Sequence, residues 1–124
     1  MAVRTFIILG RLDGLNKVTN SNRSHWSLGA KSKRDNTDAV ALAPDVINAA
    51  ALPLEAFPCH VHIDWFEPNM RRDPDNITSA KKFVFDGLQK AGIIENDGWK
   101  QLRGFSDSWY VDKENPRVEV TFMW

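Results

Sequence analysis

Two short acidic segments hold the residues best suited to chemistry. In Arg71-Arg72-Asp73-Pro74-Asp75-Asn76, two carboxylates stand one residue apart beside two guanidiniums, and Glu95-Asn96-Asp97 follows after a helical run. Pro74 fixes its own φ near the helical value and drives Asp73 into an extended conformation, so the backbone holds both acidic side chains. Mg²⁺ takes oxygen ligands in near-octahedral geometry, commonly from one or a few carboxylates with water and phosphate completing the shell. Asp73, Asp75 and Asp97 would supply such ligands, and a metal there would activate water against a phosphodiester. Three carboxylates gathered without a cation repel one another, so clustering makes sense mainly with metal present. An opposing reading is equally physical: Asp-Pro-Asp before a helix is a common capping turn, and Arg-Arg-Asp is an ordinary surface ion-pair cluster. Spacing alone does not separate the two.

The element that must position these acids is the helix predicted over Asn76–Ala91, with Asp75 as N-cap and Gly92 as the residue past its end. At helical spacing Ile77, Ala80, Val84, Leu88 and Ala91 form one apolar stripe. Asp75, Ser79, Lys82 and Asp86 share the opposite face, which places the Lys82 ammonium where it would meet a phosphate or a developing negative charge. Lys81 falls near the edge of the apolar stripe. The bland alternative for Lys82 is an i, i+4 pair with Asp86.

Around this helix the chain reads as a small domain. Val3–Leu9 is rich in β-formers and stops at Gly10, giving a first strand. Residues 11–29 are polar and are expected to form a long loop, with Asn16, Asn20, Arg23, Ser24, His25 and Trp26 available to a ligand or simply mobile. Apolar residues from Ala30 recur at spacings of three and four, and Pro44 divides them into a helix over Ala30–Leu42 and a second turn over Asp45–Ala51. Cys59–Phe66 alternates as a strand, with Cys59, Val61, Ile63 and Trp65 on one side. The other side carries His60, His62 and Asp64, open to two readings: a metal site, or the polar outer face of a sheet. Trp99–Tyr110 reads as a strand interrupted near Gly104, and Asp112–Pro116 as a turn. Arg117–Trp124 alternates again, with Val118, Val120, Phe122 and Trp124 inward, predicting a terminal hairpin. The order β-loop-α-β-α-β-β predicts an α/β (α+β) fold in which helices cover one face of a small mixed sheet.

At 124 residues, residues 1–124 make a single domain, and 43% hydrophobic with 26% charged residues excludes a disordered or collagen-like chain. Sixteen basic and 16 acidic residues cancel, so the whole molecule does not advertise a polyanionic partner. Local clusters still offer one: Lys31, Lys33 and Arg34, then Arg71 and Arg72, then Lys81 and Lys82. The single Cys59 excludes an internal disulfide and a Cys-rich zinc site. The apolar run Phe6–Leu9 is too short for a signal-peptide core or a membrane span, so a cytoplasmic chain without membrane contact is expected.

The segments Arg72-Asp73-Pro74-Asp75-Asn76, Lys81-Lys82-Phe83-Val84-Phe85-Asp86-Gly87-Leu88, Ala91-Gly92 and Asn96-Asp97 together resemble the RusA family of Holliday junction resolvases, in its phage and prophage form. Leu15-Asn16 and Gly29-Ala30-Lys31 are similar to the N-terminal part of such members, although only the middle third of the chain is specific. The resemblance implies a homodimeric, Mg²⁺-dependent endonuclease, with Mn²⁺ as a substitute ion, that resolves four-way DNA junctions by paired symmetric nicks in recombination and repair. It implies that Asp73, Asp75 and Asp97 bind metal and that Lys82 serves cleavage. Asn16, Lys31, Lys33, Arg34, Arg71, Arg72 and Lys81 would contact DNA. The chain departs from the family by about one extra helical turn between the acidic pair and the lysine, which leaves Lys81 a rival. Its net charge of zero is a second departure for a DNA binder. Two other function classes stand beside this one: a non-catalytic protein that binds branched DNA and uses its acids as caps, and an interaction protein whose partner docks on the Trp26 region.

Overall fold

The computed structural model describes every residue except His25, and of Ser21, Ser24 and Trp26 it describes the backbone alone. Its centre is a four-stranded mixed sheet built from β1 (Val3–Leu9), β2 (Cys59–Glu67), β3 (Leu102–Val111) and β4 (Arg117–Met123). The spatial order is β1-β4-β2-β3, with β4 antiparallel to both neighbours and β2 parallel to β3. One face of the sheet is buried, as strict alternation in β2 and β4 requires: Val61, Ile63 and Trp65 from β2 and Val118, Val120 and Phe122 from β4. Phe6 and Ile8 of β1 extend that layer. The fold is α+β with a mixed sheet, as the order of elements predicted.

Three sequence expectations are corrected. The long loop over residues 11–29 is largely helical: α1 spans Leu15–Ser24 and α2 spans Trp26–Ala41, reaching back beyond the expected start at Ala30. Tertiary contacts override the weak helix propensity of this Ser- and Asn-rich stretch. Val18 packs on the core, and Asn36, buried in α2, exchanges hydrogen bonds with the backbone and carboxylate of Asp13 just ahead of α1 (both 2.8 Å). The expected ligand contacts of Ser24, His25 and Trp26 lie outside the described residues. The short second helix forms as α3 (Pro44–Ile47), where Asp45 accepts the Ile7 N–H of edge strand β1 at 2.8 Å.

The helix expected over Asn76–Ala91 is two helices, α4 (Pro74–Thr78) and α5 (Lys81–Lys90), and the N-cap position belongs to Asp73 rather than Asp75. Thr78 and Ser79 turn their hydroxyls back onto the Pro74 and Asn76 carbonyls, and the ladder tightens to an i−3 bond from Ala80 N–H to Ile77 O (3.1 Å). The single helical face shared by Asp75 and Lys82 is therefore interrupted. α5 ends as predicted at Gly92, whose φ of 78° closes a Schellman motif: Gly92 N–H to Gln89 O and Ile93 N–H to Leu88 O. Last, β3 and β4 do not form a hairpin. The five-residue stretch 112–116 carries the chain across the end of β2, which sits between them, and Asp112 N–H bonds Glu67 O at 2.8 Å.

Candidate functional site

The acidic pair sits at the head of α4. Asp73 is extended (φ −71°, ψ 154°), as a residue before proline must be, and its side chain makes no capping hydrogen bond. The Asp73 carbonyl accepts the Ile77 N–H instead, at 3.0 Å. Asp75 accepts the N–H of Asn76 at 2.9 Å. Both carboxylates are exposed, so the capping-turn reading does not account for the Asp73 side chain.

What holds this segment is a buried carboxylate that sequence reasoning did not single out. Glu67, 5% exposed at the end of β2, takes two hydrogen bonds of 2.9 Å from Arg72 and one of 2.8 Å from Arg11. Arg72 also donates to the Leu12 carbonyl at 3.0 Å. A planar guanidinium meeting a carboxylate with two donors fixes orientation as well as distance. Arg72 thus ties the acidic segment to β2 and to the chain leaving β1, while Arg71 stays exposed. The signal for Glu67 was its place in β2: it continues the buried alternation by one residue, and a charge at a core position needs a partner.

Asn76 accepts the Asn16 N–H at 3.0 Å, joining the start of α4 to α1. Asn16, Arg71, Arg72 and Asn76, with Arg11 and Lys17, line an open cavity of about 430 Å³. Asp13 stands in the same wall. Burial works against its ionisation, but hydrogen bonds from Asn36, Lys17 and Ser32 outweigh it and hold the carboxyl below the usual range.

The two lysines part company. Lys81 pairs with Asp107 of β3 at 2.7 Å and lies over the Phe105 ring, 4.8 Å from its centre. Lys82 is two-thirds exposed, 3.1 Å from Asp86 and 4.0 Å from Asp97. The Asp86 hydrogen bond, with Asp86 and Asp97 charge added, raises its pKa and keeps it a cation. Lys82 also shares a cavity of about 400 Å³ with Lys33, Thr37, Asp86, Gln89 and Lys90. Lys31 is held by Asp35 at 2.5 Å, and Arg34 is exposed on α2.

The structure thus brings Lys82 to Asp97, and Asn16 to Arg71 and Arg72. Asp73 and Asp97 line different cavities: Asp73 stands with Trp109, Tyr110 and Val111 at one end of β3, and Asp97 with Leu102 to Phe105 at the other. Among the described residues, no three His, Cys, Asp or Glu side chains are grouped closely enough to hold a metal ion. Asp73 and Asp75 nonetheless fit Mg²⁺ as a donor set, being exposed, all-oxygen and held by one rigid turn, since Mg²⁺ is usually bound through one or two carboxylates plus water and phosphate. Among the described residues no helix is long and apolar enough to cross a membrane. No protein-family model matches the chain, and no curated protein matches it.

Proposed function

We propose that the protein is a divalent-metal-dependent endodeoxyribonuclease that resolves four-way DNA junctions as a homodimer, the reading that its resemblance to RusA-type resolvases suggests. The observation that carries it is the exposed pair Asp73 and Asp75, set by Pro74 on the first turn of α4, with the Asp73 carboxylate free of any capping bond. Asp73 and Asp75 would hold the ion, Mg²⁺ or in its place Mn²⁺, while Asp97, the third acid that the resemblance implies, lines a cavity at the other end of β3 and stands beside Lys82 instead. When bound, the ion supplies an activated water and stabilises the leaving oxygen of the phosphodiester. Lys82, kept protonated by Asp86 and Asp97, stabilises negative charge on the phosphate. Arg71 and the α2 cations Lys31, Lys33 and Arg34 bind the flanking backbone, while Asn16 and Arg72 shape the cavity beside it. Two copies related by a two-fold axis match the near two-fold symmetry of a four-way junction, each cutting one strand.

A second reading, a non-catalytic protein that binds branched DNA, is favoured by one observation: the three acids do not form a single group among the described residues. Junction cleavage with Mg²⁺ against EDTA separates the two. Cleavage is expected only with Mg²⁺, and Asp75→Asn is expected to abolish it while junction binding in EDTA persists. A fully active Asp75→Asn protein rules out the metal assignment, and junction binding without cleavage by the unaltered protein selects the second reading.

A further inference from the structure

The face of the sheet turned away from the core carries a chain of polar side chains that the proposed nuclease chemistry does not use. His60, His62 and Asp64 alternate along β2, and the parallel register sets Ser106 of β3 directly against His62 and Gly104 against His60. His62 Nε2 lies 2.9 Å from Asp64 Oδ1, and His62 Nδ1 lies 2.6 Å from Ser106 Oγ. His60 Nε2 approaches the same hydroxyl at 3.0 Å.

The proton directions follow from chemistry. In the neutral His62 ring the nitrogen that faces a carboxylate carries the proton, so Nε2–H donates to Asp64 and Nδ1 keeps its lone pair toward Ser106. A hydroxyl has one proton, so Ser106 donates to His62 and accepts from His60 Nε2–H; ligating a metal through that nitrogen takes His60 in its other tautomer, with the proton on Nδ1. Two imidazole nitrogens from alternate residues of one strand therefore converge on a single point, and a carboxylate fixes the tautomer of one of them. A carboxylate on one ring nitrogen, leaving the other its lone pair, is the recurrent arrangement behind metal-ligating histidines, and in His62 that lone pair is turned to the Ser106 hydroxyl. The ring of His60 is seated over Gly104, where a Cβ would come within 2.7 Å of its Nδ1. Glu119 of β4, which stands opposite Asp64 in the register, is held at 2.6 Å by Arg117.

We propose that His60 and His62 bind a borderline divalent transition-metal ion, Zn²⁺, Ni²⁺ or Cu²⁺, with Asp64 orienting His62 and the Ser106 hydroxyl or water completing the shell. Imidazole ligands suit these ions and not Mg²⁺, so the site is chemically separate from the acidic pair at the head of α4. His60 is exposed and His62 half-buried, which leaves the pair open to solvent.

The test is isothermal titration of the full chain with ZnCl₂ and with NiCl₂ in the presence of excess Mg²⁺, on an Asp73→Asn/Asp75→Asn background that removes the acidic pair as a competing site. Binding at one ion per chain is expected, weakened at least tenfold by His62→Gln and by His60→Gln. Asp64→Asn is expected to weaken it about 10-fold to 100-fold, as loss of an outer partner does. NMR of the histidine ring protons, with and without Zn²⁺, provides a readout on the unsubstituted chain should a variant fold poorly. Unchanged affinity in both histidine variants, no binding at all, or His60 and His62 ring signals that do not respond to Zn²⁺ overturns the proposal.

Discussion

Asp13 shows how a single side chain fixes the entrance to the candidate site. It takes hydrogen bonds from Ser32 (3.0 Å) and Asn36 (2.8 Å) of α2 and pairs with Lys17 of α1 at 3.2 Å. Its carboxyl is held below the ordinary Asp value of about 4. The unfolded chain therefore binds that proton more tightly than the folded one, so Asp13 adds stability that is present above about pH 4 and lost as pH falls through the lowered folded value. Asp13→Asn is expected to lower stability near neutral pH and to flatten the loss of stability on acidification. Urea unfolding of both proteins at about pH 7 and about pH 3.5 checks this, and parallel losses in the two would count against it. Of the candidate residues, the constrained placement of Asp73 and Asp75 around Pro74 was legible in the sequence because proline acts on its immediate neighbours. The approach of Lys82 to Asp97 was not resolved from Lys81 as an alternative, since it depends on how the chain returns after α5.

At the scale of elements, the position of α5 is set by its contact with α2. Gly87 is buried there, and a Cβ on it would stand 2.4 Å from Val40 Cβ and 2.8 Å from the Thr37 carbonyl. Phe83, Val84, Phe85 and Leu88 bury the surrounding surface, each such side chain contributing about 1.5–3 kcal/mol when fully buried. Gly87→Ala would add about 1 kcal/mol of helix propensity but cost about 1–3 kcal/mol in overpacking against rigid neighbours. A net loss of stability is expected, read as a lower urea midpoint, and an unchanged or raised midpoint would show that α2 and α5 can move apart freely. The apolar stripe of this helix was readable from periodicity. The break at Ser79 and Ala80 was not, because two side-chain hydroxyls competing for helix carbonyls leave the apolar pattern untouched.

For the whole molecule, 16 cations and 16 anions cancel, yet Arg11, Lys17, Arg71 and Arg72 gather around one cavity and Lys33, Lys82 and Lys90 around another. If these surfaces bind the DNA backbone, affinity for a four-way junction must fall with salt. Neutralising three phosphates at a slope of about −0.9 each gives roughly a 40-fold loss between about 50 and 200 mM salt. Gel-shift titrations across that range, with the stoichiometry expected at two chains per junction, check the prediction; a flat salt dependence would exclude backbone recognition. The sequence by itself determined the α+β class, the buried faces of β2 and β4, the end of α5 at Gly92 and the constrained acidic pair. Each of these follows from periodicity or from the local stereochemistry of proline and glycine. Only the tertiary structure decided the sheet order that separates β3 from β4, the helical state of residues 15–24, and the Glu67 clamp on Arg11 and Arg72. It alone decided, too, that Lys82 rather than Lys81 faces Asp97. These depend on contacts between residues far apart in the chain, which leave no periodic trace along it.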